Sequence, residues 1–183
     1  MEANPVIEDM LNKNPLVIFS VYTQIQNRTV RELGREVLTC MEAGISPDDG
    51  TGRGTVCGSD VISRGYGQFW LWVLGAYEVV RTMCQAEQCF SPRVAAELKV
   101  LKRSLAVIRM PFAKQELPGK STPVRAEPSI YGIGGSPPDL RFEVEGKVIS
   151  VRELLAEFDR VFDGITRADV LADHRTTYSP DVV

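Results

Sequence analysis

Histidine is almost missing from this chain: 183 residues hold one, His174, in a polar C-terminal stretch. A Ser–His or Cys–His nucleophilic pair therefore has little support. The four cysteines, Cys40, Cys57, Cys84 and Cys89, form no CxxC pair, and Cys84 and Cys89 stand five apart. Structural zinc needs paired ligand spacing, so the expectation is four reduced thiols and no metal. GxSxG, HExxH and carboxylates at metal-ligand spacing are also lacking. So are long apolar runs: the longest, FWLWVLGAY at 69–77, falls far short of the ~18–20 residues that cross a bilayer. The opening MEANPVIEDM is acidic and has no apolar h-region of a secretory signal. A cytoplasmic location and no membrane partner are expected. No internal repeat is visible.

What remains is ordinary globular composition: 44% hydrophobic, 25% charged, with a formal net charge of −3 and a pI near 5.3. Disorder would need fewer apolar residues, and the mild acidity argues against broad, non-specific nucleic-acid binding. The length suits one domain, 1–183, with 1–13 and 165–183 expected as flexible tails.

Apolar residues recur mainly at helical spacing. Asn14-Pro15 is a cap followed by a first-turn proline. Ile18, Val21, Tyr22, Ile25, Leu33, Val37 and Met41 then predict a helix over about 15–43, ended by Gly44, with a break near Asn27–Thr29. A second helix is predicted over 67–88. Phe69, Val73, Ala76, Val80 and Met83 form one stripe and Trp70, Leu74 and Tyr77 a second beside it. A helix so widely apolar is central or lies at a subunit interface, and Gly75-Ala76 would admit a close neighbour. Ser91-Pro92 starts a third helix with a seam of Leu98, Leu101, Leu105, Ile108 and Phe112, expected to end or kink near 110 because of Pro111. Leu140–Val144 and Lys147–Ser150, joined by Glu145-Gly146, read as a β-hairpin. Ser150 with Glu153 then caps a last helix over 151–163, with Val151, Leu154, Leu155, Phe158 and Phe162 as its apolar face. The fold class is mainly α, an antiparallel helical bundle with a small β-hairpin before the last helix.

Two long loops separate these elements, at 44–67 and 114–138. GTGRGTVCG at 50–58 has GxG without the full dinucleotide spacing, and no strand clearly leads into it. GKST at 119–122 imitates the end of a P-loop. The full motif needs glycine at 114, where this chain has lysine. No cofactor is expected.

Only Glu78 and Arg81 are charged between Phe69 and Met83. An unpaired buried ion costs several kcal/mol, so these two must reach water, each other or another partner such as Arg109. Placed together, Glu78, Arg81, Arg109 and Lys114, with Tyr77 beside them, are the candidates for holding an anion such as phosphate. AYEVVRTM at 76–83 and LAVIRMPFAKQE at 105–116 resemble the middle helices of HEPN-type bundles (higher eukaryotes and prokaryotes nucleotide-binding). That resemblance covers about 67–116 and the helical layout. It implies an α-helical, commonly dimeric bundle. Many members are ribonucleases using an arginine, a histidine four to six residues on, and a polar residue from another helix. Arg109 matches the arginine, Lys114 stands where the histidine would fall, and Glu78 is the nearest polar partner. Lysine at that place departs from the pattern, since an unperturbed lysine stays charged where histidine exchanges protons.

The expected function is therefore a non-catalytic, HEPN-like module for RNA, a nucleotide or a protein partner. It would act as a homodimer through the second and third predicted helices, where Trp70, Trp72 and Tyr77 supply aromatic surface. The alternatives are a degenerate, metal-independent ribonuclease using Arg109, Lys114 and Glu78, or a pure protein-interaction module.

Overall fold

Helices dominate, and one of them runs through the middle of the others. The computed structural model describes residues 4–46, 56–114, 130–134, 137–144 and 146–177. In order they form α1 (Pro5–Lys13), α2 (Leu16–Phe19), α3 (Val21–Gly44), α4 (Ser59–Gln85), α5 (Pro92–Lys114), β1 (Ile130–Gly134), β2 (Asp139–Val144), β3 (Lys147–Ser150) and α6 (Val151–Asp163). Short 3-10 turns follow α4 and α6. No described helix is long and apolar enough to cross a membrane.

The central helix is α4, packed between α3 and α5. Phe69, Val73, Ala76, Val80 and Met83 are all fully buried. Each large side chain so removed from water contributes about 1.5–3 kcal/mol. The neighbouring Trp70, Leu74 and Tyr77 stripe stays partly exposed. Gly75 admits α3 closely, since a Cβ there would meet Val30 Cγ2 at 3.1 Å. Trp72, expected as dimer surface, is instead 1% exposed. It packs edge-on against Phe158 of α6 with ring centroids 5.5 Å apart. It belongs to the core and can cover no partner.

Several boundaries differ from the sequence expectation. Residues 5–13, read as a tail, form α1, started by Asn4 Oδ1 accepting from Val6 N at 3.0 Å and by Pro5 at the first helical position. The predicted 15–43 helix breaks at Ser20, whose extended backbone (φ −166°, ψ 126°) and side chain cap α3. It does not break near Asn27–Thr29. The loop read over 44–67 is helical from Ser59 onward, while residues 47–55 lie outside the described residues. Glycine propensity argued against a helix at 65–67, but Gly65 is what lets α4 lie against Cys40, where a Cβ would come within 3.0 Å.

α5 runs past the expected end near 110, with Pro111 inside it. Phe112 supplies the reason: its ring meets those of Tyr66, Phe69 and Phe142 at 5.5–5.9 Å. That packing offsets the roughly 3 kcal/mol that an internal proline costs. The expected hairpin is present and gains a third strand, β1, from the region read as loop 114–138. The sheet is antiparallel in the order β1-β2-β3. Phe142 pairs with Ile149, and Gly146 takes the positive φ of 75° that the β2–β3 turn needs. The GKST stretch lies outside the described residues.

Leu140, Phe142 and Val144 face inward against the helices, while Arg141 and Glu143 face out. Ser150 accepts from Glu153 N at 3.0 Å and starts α6 at the expected residue. Beyond α6, residues 165–177 pack rather than trail. Ile165 and Val170 are buried, and Val170 bridges to Phe90. His174 Nδ1 lies 3.0 Å from Phe19 O.

Candidate anion-binding cluster

Successive turns of α4 bring Tyr77, Glu78 and Arg81 to one edge, and α5 sets Arg109 against them. Arg81 Nε donates to Glu78 Oε2 at 2.7 Å. An Arg109 Nη2 lies 3.6 Å from Glu78 Oε1, an ion pair without a close hydrogen bond. The Arg109 Cζ sits 4.9 Å from the Tyr77 ring centroid, within cation–π range. Its Nη1 reaches Met110 Sδ at 3.2 Å, and its Nε is buried with no hydrogen-bond partner.

Two guanidiniums thus share one carboxylate, leaving a local charge of about +1. The side chains of Glu78, Arg81 and Arg109 are 47%, 39% and 22% exposed, so a solute can reach the cluster. Nearby in sequence, Trp70 Nε1 donates to Phe112 O at 3.1 Å and fastens the α4–α5 seam. Four of the five expected site residues therefore come together. The fifth, Lys114, ends α5 five residues after Arg109, and its side chain lies outside the described residues.

A second charged centre is structural. Asp169 accepts from Ser91 Oγ at 2.7 Å, Arg93 Nη2 at 2.7 Å, Thr166 N at 3.0 Å and Thr166 Oγ1 at 2.7 Å. Burial pushes its carboxyl up, but the hydrogen bonds from Ser91, Thr166 and Arg93 outweigh that and hold it well below the usual carboxylate range. This residue was missed from the sequence, although Thr166-x-x-Asp169 has the spacing of a capping box. Asp173 is lowered to about 2, chiefly by hydrogen bonds from Arg175.

Burial pushes the Cys84 thiol up, against the pull of Lys102 and Lys99, which disfavours a reactive thiolate. Among the described residues no three His, Cys, Asp or Glu side chains gather as metal ligands. His174 packs on Phe19 with ring centroids 5.4 Å apart. Comparison with protein-family models, curated proteins and solved structures finds no match to this chain.

Proposed function

We propose that the chain is a non-catalytic, HEPN-like binding module of the cytoplasm, acting as a dimer, that takes a phosphate-bearing ligand, RNA or a nucleotide, at the Tyr77–Glu78–Arg81–Arg109 edge. The observation that carries this reading is the pairing of two guanidiniums with one carboxylate, all three side chains partly open to solvent. A phosphate oxygen arriving there meets N–H donors already oriented by Tyr77 and Glu78. Charge-assisted hydrogen bonds of this kind are about twice as strong as neutral ones. Among the described residues of the edge Glu78 is engaged by two cations, which disfavours proton transfer, and lysine stands where the HEPN resemblance would put histidine.

Fluorescence anisotropy with a short single-stranded RNA tests the reading. The native protein is expected to bind at low salt, and Arg109→Gln to weaken binding about tenfold, the worth of one charged contact. Unchanged helical circular dichroism would show that the variant keeps its fold. No binding by the native protein to RNA or nucleotide, or equal binding by the variant, would remove the proposal. Cleavage of the RNA, lost in Arg109→Gln, would instead favour the ribonuclease reading.

A further inference from the structure

Half of the large apolar side chains exposed among the described residues fall between positions 6 and 25. They are Val6, Ile7 and Met10 on α1, with Val21, Tyr22 and Ile25 on α3, exposed by 44–79%. α1 has no buried residue at all. A nine-residue helix is too short to persist in water by itself; within the chain it rests on half-buried Leu11 and the Glu8–Arg167 pair, which leaves Val6, Ile7 and Met10 uncovered for a further neighbour.

The two sets share one end of the molecule. Asn14 Nδ2 donates to Met10 O at 3.2 Å, and Asn14 Oδ1 accepts from Gln24 Nε2 at 3.1 Å. That chain of hydrogen bonds ties the last turn of α1 to the first turn of α3, where Val21 and Ile25 flank Gln24. Six side chains of this size present on the order of 600 Å² of apolar surface. Summed over the two helices, that approaches the ~800 Å² each partner gives to a standard interface.

The charges around the face choose the occupant. Asp9 pairs with Lys13 at 2.7 Å, Arg28 with Glu32 at 2.9 Å, and Glu8 with Arg167. The rim is thus neutralised from within the chain. Among the described residues the rim charges are already paired, so a strongly charged partner gains little there, while an identical face meets it without like-charge repulsion.

We infer that a second copy of this chain docks here, α1 and the start of α3 of one protomer against those of its partner, about a two-fold axis. The pairing is isologous, so each apolar side chain serves both protomers. It places the dimer contact away from the α4–α5 seam, whose large exposed apolar side chains among the described residues are Trp70 and Leu71 on α4 and Val100 on α5. The inference rests on the dimeric part of the proposed function and is independent of the anion site.

Sedimentation velocity of the full chain over a wide concentration range is the test, with Ile25→Glu, Ile7→Glu and Leu71→Glu alongside. All three positions are more than half exposed, so none should disturb folding. The native protein is expected to sediment as a dimer. Ile25→Glu and Ile7→Glu should each raise the dimer dissociation constant at least about tenfold, and Leu71→Glu should leave it unchanged. A native protein that stays a single chain throughout would overturn the inference. So would a dimer indifferent to Ile25→Glu, or one broken by Leu71→Glu.

Discussion

Phe69→Ala is expected to cost about 4 kcal/mol of folding stability, the middle of the range for emptying a large aromatic from a core. Phe69 is fully buried and touches three elements at once. Its ring stacks on Trp72 of α4 at 5.8 Å and on Phe142 of β2 at 5.5 Å, and meets Phe112 of α5 edge-on at 5.9 Å. Truncation opens a cavity where central helix, flanking helix and sheet join, and no single element can collapse to fill it. For a chain of this length the loss corresponds to a drop in Tm of roughly 8–16 °C. Thermal unfolding followed by circular dichroism checks it. A drop of only a degree or two would mean that α4 is not the spine of the fold.

Asp169→Ala should have the second largest effect, about 2–3 kcal/mol, because it leaves donors from Ser91 and Thr166 unmet in a part-buried site. Arg93 is 49% exposed, so its share of the loss is small. The pH dependence has a definite sign. The folded-state carboxyl lies below its unfolded range, so its stabilisation is whole above that range and is lost as pH falls through the lowered value. Urea unfolding of the native protein should therefore weaken on acidification below about pH 4, where an unfolded aspartate begins to take up protons. Asp169→Asn should lose less at neutral pH than the alanine variant and show a shallower acid limb. Equal acid limbs in the native and asparagine proteins would show that Asp169 is not the titrating clamp.

These two residues also mark what the sequence could and could not disclose. The Phe69-to-Met83 stripe was legible because five apolar residues at helical spacing with few charges admit only a buried face, and burial follows it residue by residue. The Ser150 cap and the turn at Gly146 were legible because capping and positive φ are local demands. The Asp169 clamp was not: two of its partners, Ser91 and Arg93, are 78 and 76 residues away in sequence and nothing local announces them.

The early start of α4 and the extension of α5 were missed for one reason. Glycine and proline carry local penalties, but close contact at Gly65 and ring packing at Phe112 outweigh them. Aromatic content alone points Trp72 to the surface, but α6 brings Phe158 to cover it. The charge cluster stood between these cases. The three-residue spacing of Glu78 and Arg81 foretold their pairing, but only the fold sets Arg109 over Tyr77.

Glu78→Gln tests the functional account most directly. It removes the one carboxylate that two arginines share, raises the local charge by one, and keeps the side chain's size. Phosphate-ligand affinity, read by anisotropy at fixed salt, should increase about three- to tenfold, the worth of roughly one freed surface charge. Affinity that stays the same or falls, with the fold intact, would contradict an anion seat at Arg81 and Arg109.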